Sequence, residues 1–142
     1  MTSIDDIAID TLARTIWGEA RSEGVAGMEA VASVVANRVA VARAHGGSYW
    51  WGHDIASVCR KPFQFSCWNA NDPNRARLLA VTDSNIHFVT CLRIARRCFY
   101  GTLADTTHGA THYHTVDILP AWAKGQTPVA TIGHHIFYKL EG

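Results

Sequence analysis

Apolar residues recur every three or four positions along three long stretches of the chain, which is the spacing of one buried face of an α-helix. The first predicted helix begins near Asp5 or Asp6, because either carboxylate can accept a hydrogen bond from the free amides of the first turn, and it ends near Gly24. The second helix is predicted over residues 27–44 and the third over residues 84–100. The pattern therefore predicts a mainly helical core.

The last third of the chain has a different pattern, in which aromatic and β-branched residues favour strands. Residues 111–115 and 132–140 are predicted to pair as antiparallel strands, and a shorter helix is predicted over residues 73–81. Residues 48–74 are interrupted by Gly, Pro and Asn and are predicted to be irregular, and a loop of that length is uncommon unless it is functional. We expect an α+β fold, mainly helical with a small antiparallel sheet, in one domain over residues 1–142.

Composition narrows the range of partners. The formal net charge is +1, which argues against nucleic-acid binding, and the cluster of Arg93, Arg96 and Arg97 is better interpreted as a solvated helix face. No apolar run approaches the roughly 20 residues that span a bilayer, so no stable membrane insertion is expected. The first residues are acidic and polar rather than basic and then apolar, which predicts a chain that is held in the cytoplasm.

The four cysteines, Cys59, Cys67, Cys91 and Cys98, contain no CxxC pair, so a zinc ribbon is not expected. The spacing favours four reduced and mostly buried thiols. A disulfide between Cys59 and Cys67 stays possible from the sequence alone.

Glu19 stands near the end of the otherwise apolar first helix, beside Trp17. A carboxyl group that is partly desolvated there has a raised pKa, which is what a general acid needs near neutral pH. Alternatively, Glu19 is a surface residue that pairs with Arg21. Glu23 lies four residues further on and shares the same face if the helix continues, so the two carboxyls can form an acid and base pair of the glycosidase kind, or Glu23 only solvates the helix end.

Two further groups of residues suggest chemistry. The segment 63–68 alternates aromatic rings with hydrogen-bonding side chains, a mixture that suits sugar rings as well as a small core beneath a loop. Five histidines fall in the last 35 residues, and His112 and His114 alternate on a predicted strand, so zinc can be imagined with His134. No HExxH motif supports zinc, and we expect no metal and no cofactor.

Several short segments follow one another in a recognisable order and spacing. They are residues 12–21 (LARTIWGEAR), 23–24, 27, 30–39 (AVASVVANRV), 57–59, 63–66 (FQFS), 112–114 (HYH), 120–122 (PAW) and 132–138 (IGHHIFY). In this order the chain resembles the SleB-like cell wall hydrolase family over nearly its whole length. The resemblance implies a lysozyme-like, mainly helical fold around a glycan cleft.

The resemblance also implies cleavage of the bond between N-acetylmuramic acid and N-acetylglucosamine in peptidoglycan, with Glu19 as the catalytic acid. The implied reaction is lytic transglycosylation, which gives 1,6-anhydro products, and a hydrolytic muramidase is the alternative. Asn37 and Arg38 are expected to tie the second helix to neighbouring backbone. The expected substrate-binding residues are Glu23, Gln64, Phe65, Ser66, Tyr113, Trp122 and His134.

The start of the chain, together with its compactness, suggests a phage-type endolysin. Such an enzyme acts as a monomer and waits in the cytoplasm until a holin pore gives it access to the wall. Two other functions fit some of the residues: a zinc amidase or peptidase built on His112, His114 and His134, and a non-catalytic glycan-binding module built on the aromatic loop.

Overall fold

The computed structural model describes residues 3–140. In that part of the chain, helices come first and a small sheet comes last, so the α+β class expected from the sequence is confirmed. The helices are α1 (Ile4–Ala20), α2 (Gly24–Ala44), α3 (Ile55–Arg60), α4 (Arg75–Ala80) and α5 (Ile86–Phe99), and the strands are β1 (His112–Thr115), β2 (Ala130–Ile132) and β3 (His135–Tyr138). Single 3₁₀ turns lie at Ser66–Trp68 and Ala121–Ala123.

Helix α1 begins earlier and ends earlier than its pattern predicts. Ser3 is its N-cap, and the Ser3 hydroxyl accepts a hydrogen bond from the Asp6 amide at 3.0 Å while Asp6 faces back towards the Ser3 amide. The predicted cap at Asp5 or Asp6 is therefore wrong, because Asp6 is the third residue of a capping box. The helix ends at Ala20, and a short turn leads directly into α2 at Gly24.

Helices α1, α2 and α5 pack together to form the main core. The valine-rich stripe of α2 is fully buried there, since Val31, Val34 and Val35 each have 0% exposure. Burial of these side chains outweighs the weak helix propensity of β-branched residues. Helix α2 is also long and apolar enough by length and composition to span a bilayer, contrary to the sequence estimate, but 61% of its most apolar window is buried inside the protein, as in a core helix.

The sheet has the order β1-β3-β2, with both pairs antiparallel. The predicted pairing of residues 111–115 with the last strand is confirmed, and Tyr113 faces Phe137 in the register. The expectation of one strand over residues 132–140 is wrong, because Gly133 has φ +56° and turns the chain between β2 and β3. Phe137 packs with Ala30 and Val34 of α2, which fixes the sheet against the helical core.

The segment 48–74 is more ordered than expected. It contains α3, which Asp54 caps by accepting a hydrogen bond from the Ser57 amide at 2.9 Å, and the Ser66–Trp68 turn. Trp51 is completely buried, and its indole N–H donates to the Arg38 carbonyl at 2.9 Å. These contacts hold the aromatic loop against α2.

All four cysteines are free thiols in buried positions, so the open question of a Cys59–Cys67 disulfide is answered in favour of reduced residues. Burial raises the pKa of the Cys59 thiol to about 12. A thiol that stays protonated is a poor nucleophile. The cysteines therefore belong to the packing of the core.

Candidate active site

Glu19 occupies the penultimate position of α1, where the helix meets both the sheet and the aromatic loop. The Tyr113 hydroxyl of β1 donates a hydrogen bond to Glu19 Oε1 at 2.6 Å. Burial raises the pKa of Glu19, and the negative charge of Asp72 acts in the same direction; hydrogen bonds from Tyr113 and Cys67 oppose the rise. Burial thus makes Glu19 a weaker acid than an exposed glutamate, while the Tyr113 hydroxyl donates a hydrogen bond that stabilises its ionised form.

The surroundings of Glu19 differ from those expected from the sequence. Arg21 stacks over the ring of Trp17 at 4.2 Å and donates to the Trp17 carbonyl at 3.2 Å. Among the ion pairs found in residues 3–140, none joins Arg21 to Glu19, so the alternative of a surface glutamate paired with Arg21 is not supported. Tyr113, rather than Trp17, makes the hydrogen bond to the carboxyl.

Gly18 allows the loop to approach Glu19 closely. A Cβ atom at this position would lie 2.7 Å from Cys67 Cβ, 2.9 Å from Cys67 Sγ and 3.2 Å from a methyl of Leu78. A glycine in a helix interior costs about 1 kcal/mol relative to alanine. Glycine nevertheless suits this position, because any larger residue would push Cys67 away from the end of α1.

We expect Gly18→Ala to destabilise the protein by about 1–3 kcal/mol, since the added methyl group overpacks the contact with Cys67. Helix propensity alone predicts the opposite sign. Urea unfolding of the wild type and the variant measures the difference. Equal or greater stability of Gly18→Ala would show that Cys67 can move away without cost.

A cavity of about 490 Å³ opens beside Glu19. It contains most of the residues that the sequence predicts for substrate binding, namely Gln64, Phe65, Ser66, Tyr113 and Trp122. It also contains Arg38 and Trp50, for which the sequence predicted no binding role. Two further lining residues are Phe63, which belongs to the segment that suits sugar rings, and His112, which the sequence offered only as a zinc ligand. The sequence signal for Trp50 is the pair of tryptophans at positions 50 and 51. Trp51 is buried, whereas Trp50 stays at the surface and lines the cavity.

Arg38 is a buried cation at the base of this cavity. Its Nε donates to the Thr111 carbonyl at 2.7 Å and one terminal nitrogen donates to Gln64 Oε1 at 3.2 Å, so it ties α2 to neighbouring backbone as expected. Burial lowers the pKa of its guanidinium to about 10. Arg38 therefore stays charged at neutral pH and fixes the orientation of Gln64.

Two of the predicted substrate contacts are restricted by the structure. Phe65 lines the cavity, but only 2% of its surface is exposed and its ring lies 5.5 Å from the Arg38 guanidinium, so a direct contact with sugar stays a prediction. The Tyr113 hydroxyl already donates a hydrogen bond to Glu19, so in this arrangement its proton is not available to an acetamido group of the substrate. Trp122 is 40% exposed and does present part of its ring to the cavity.

A second depression of about 460 Å³ begins on the other side of Glu19. Glu23 and His134, the two remaining predicted residues, line it together with Asp117 and His135. Glu19 lines both depressions, and the two depressions together are called the groove below. A groove with a carboxyl that can donate a proton at its centre suits a polymer that extends to both sides of the bond being cleaved.

Glu23 does not share a helical face with Glu19, because α1 ends before it. Its Oε1 accepts the His134 backbone N–H at 2.8 Å, and its Oε2 lies 2.9 Å from His134 Nδ1. The bond with His134 lowers the pKa of Glu23, and His135 Nδ1 lies 3.4 Å from Oε1. Glu23 is therefore an ionised anchor that holds the β2–β3 turn against the α1–α2 junction, and a contact with substrate stays a prediction.

The histidines have other partners than a metal ion. His114 places Nδ1 2.7 Å from the Thr115 carbonyl and Nε2 2.8 Å from the Tyr138 hydroxyl, which occupies both ring nitrogens. Burial lowers the pKa of His112 to about 4, so this ring is neutral. Within residues 3–140 no cluster of three His, Cys, Asp or Glu side chains can hold a metal, and the zinc hypothesis lacks a ligand set there.

Comparison with known proteins finds related sequences and related folds. The sequence profile described as Cell Wall Hydrolase matches residues 22–138. The spore cortex-lytic enzyme of Halalkalibacterium halodurans is 30% identical over 135 residues, which is 93% of this chain and 34% of that enzyme. The chain thus spans about a third of the length of this curated relative.

Two solved structures have the same fold. The catalytic domain of SleB from Bacillus cereus superimposes with a TM-score of 0.70 at 24% identity, over 98% of this chain and 93% of that one. The catalytic domain of the germination-specific lytic transglycosylase SleB from Bacillus anthracis gives 0.71 at 24% identity, over 96% of each chain. The fold is therefore that of the SleB catalytic domains.

The profile match covers most of the chain and therefore shows the family to which the chain belongs. This chain belongs to the cell wall hydrolase family, which confirms the resemblance drawn from its sequence. Membership in a family described as hydrolases favours the enzyme interpretation over the alternative of a glycan-binding module.

Proposed function

We propose that this protein cleaves the glycan strands of peptidoglycan at the bond between N-acetylmuramic acid and N-acetylglucosamine, as a lytic transglycosylase. The observation that carries the proposal is the position of Glu19, whose carboxyl borders both halves of the groove and has a raised pKa. The name of the SleB relative from Bacillus anthracis, a lytic transglycosylase, supports the same reaction.

In the proposed reaction Glu19 protonates the glycosidic oxygen while the bond to C1 of the muramoyl sugar breaks. The C6 hydroxyl of the same sugar then attacks C1 and closes a 1,6-anhydro ring. The ionised Glu19 takes the proton of that hydroxyl and returns to its starting state. One carboxyl group performs both proton transfers, and no water is consumed.

The other acidic side chains that line the groove are Glu23 and Asp117. Both oxygens of Glu23 already bond His134, which limits Glu23 as a nucleophile or base. A hydrolytic enzyme of the usual kind needs a second carboxylate about 5–10 Å from the acid, as nucleophile or base. If water is the acceptor, Glu23 and Asp117 are the two candidates for that role.

Digestion of purified peptidoglycan, followed by borohydride reduction and mass spectrometry, tests the proposal. We expect 1,6-anhydro muropeptides, which have no reducing end and resist reduction, from the wild type and equally from Glu23→Gln and Asp117→Asn. Reducible muramic acid ends would identify a hydrolase. Release of peptides alone would contradict glycan cleavage and favour the amidase alternative.

Use as an endolysin with holin-dependent release, a cytoplasmic location before release, and a monomeric state stay predictions of the sequence.

A further inference from the structure

A third depression lies beyond Phe63, at the end of the groove that is remote from Glu23. It has a volume of about 380 Å³. Phe63 lines both this depression and the cavity beside Glu19, so its side chain forms the wall between them. The remaining lining residues are Arg60, Lys61, Pro62, Trp68, Asn69, Ala70 and Asn71.

The backbone at Phe63 is held in an unusual conformation. Its φ is +66°, a left-handed value that costs a non-glycine residue about 1–2 kcal/mol, and its side chain is 84% exposed. A hydrogen bond from the Gln64 amide to the Lys61 carbonyl at 3.2 Å closes this turn. An exposed aromatic ring in a strained turn contributes little to the core, and such strain is found most often where a ligand is held.

The charge of the third depression is positive. Arg60 and Lys61 are exposed, and among the ion pairs found in residues 3–140 neither takes part in one. Arg60 stacks over the Trp68 ring at 4.4 Å, which restrains the guanidinium while its N–H edge stays available. The Trp68 indole is itself fixed by donating to Thr15 Oγ1 at 2.9 Å.

The chemistry of the lining suits a peptide that carries carboxylates. A guanidinium and an ammonium bind carboxylates, and the side-chain amides of Asn69 and Asn71 can donate to and accept from peptide groups. The glycan strand itself consists of neutral sugars. The charged part of peptidoglycan is the stem peptide, which branches from the lactyl group of each muramoyl residue and has free carboxyl groups.

We propose that the depression formed by Arg60, Lys61, Phe63 and Trp68 binds the carboxylates of the stem peptide attached to the muramoyl sugar in the neighbouring cavity. This inference rests on the proposed function, because it places a glycan strand in the groove beside Glu19. Phe63 separates the sugar from its peptide branch. The site selects strands that still carry their stems with free carboxyl groups.

The test compares two substrates of the same length and shape. Short uncrosslinked peptidoglycan chains are used either with free stem carboxylates or after conversion of these groups to amides with carbodiimide and ammonia. The double variant Arg60→Gln/Lys61→Gln is compared with Arg93→Gln/Arg96→Gln, which makes the same charge change on the exposed face of α5.

We expect Arg60→Gln/Lys61→Gln to raise KM about fivefold to tenfold on the free-carboxylate chains, because two exposed ion pairs are lost. Its kcat on those chains, and both constants on the amidated chains, should stay close to the wild-type values. The α5 control should match the wild type on both substrates. An equal loss on both substrates, or an equal loss in the control, would overturn the proposal.

A binding experiment separates this proposal from the proposed function. The free stem tetrapeptide, and separately its amidated form, is added to the wild-type protein while the Trp68 indole N–H resonance is followed by NMR. A shift caused by the free-carboxylate peptide alone supports the site even if no glycan bond is cut. No shift, or the same shift with poly(glycerol phosphate), would overturn the assignment to the stem peptide.

Discussion

Replacing Glu19 with glutamine is expected to reduce peptidoglycan cleavage by a factor of about 10²–10⁴, the usual contribution of a positioned general acid and base. The amide has the same shape as the carboxyl and its oxygen can still accept from the Tyr113 hydroxyl, which lies 2.6 Å from Glu19 Oε1. It cannot deliver a proton to the leaving oxygen. Release of muropeptides from purified walls under initial-rate conditions measures the loss.

Glu29→Gln is the matched control, since it makes the same substitution on α2, where the carboxylate pairs with Arg97 at 2.9 Å. Its cleavage rate should equal that of the wild type, and its stability should fall by no more than about 1 kcal/mol. Retention of a tenth or more of the wild-type rate by Glu19→Gln would exclude Glu19 as the acid.

The stability of Glu19→Gln distinguishes a chemical effect from unfolding. Burial raises the pKa of Glu19 above its ordinary value of 4.5, so between these two pKa values the folded state binds more protons than the unfolded state. Stability contributed by the protonated carboxyl is therefore lost as the pH rises through that window. We expect Glu19→Gln to melt at a higher temperature than the wild type at neutral pH, and the difference to close below pH 4.5.

Removing the Tyr113 hydroxyl is expected to change the pH dependence of cleavage. The bond from Tyr113 favours ionised Glu19, so its loss in Tyr113→Phe should raise the pKa of Glu19 further. Activity that needs protonated Glu19 falls as the pH rises through that pKa, so the alkaline limb of kcat/KM should move to higher pH. At the wild-type optimum we expect a loss of about threefold to tenfold, since a net hydrogen bond contributes about 0.5–1.5 kcal/mol.

Tyr138→Phe provides the control for this prediction. It also removes a buried hydroxyl, which lies 2.8 Å from His114 Nε2 on the same sheet and makes no bond to Glu19. It should lower the melting temperature without moving the alkaline limb. The test compares profiles of kcat/KM against pH for the wild type, Tyr113→Phe and Tyr138→Phe. An unshifted alkaline limb in Tyr113→Phe would show that Glu19 does not set this limb.

The class of fold could be predicted because it depends on local patterns, whereas Glu19 was selected as the candidate acid by the family resemblance. Helical periodicity predicted α1, α2 and α5, since a buried helix face requires an apolar residue every three to four positions. Boundaries were less accurate. The β2–β3 turn at Gly133 was missed, because the residues on both sides of it favour strands and a single glycine does not show where pairing reverses.

Pairs of residues that are distant in sequence could not be predicted. Glu19 and Tyr113 are 94 residues apart, and only the packing of the sheet on α2 brings the hydroxyl to the carboxyl. The contact that Gly18 makes possible with Cys67 is of the same kind. Sequence spacing also placed Glu23 on the helical face of Glu19, whereas the early end of α1 turns it towards His134.

The sequence by itself determined the helical core, the small sheet and the family, and it proposed Glu19 as the acid, because periodicity and short motifs are properties of neighbouring residues. The tertiary structure decided the burial and the raised pKa of Glu19, the anchoring role of Glu23, the burial of Phe65 and the cationic depression beyond Phe63. Each of these depends on desolvation or on a partner far along the chain, and both exist only once the chain has folded.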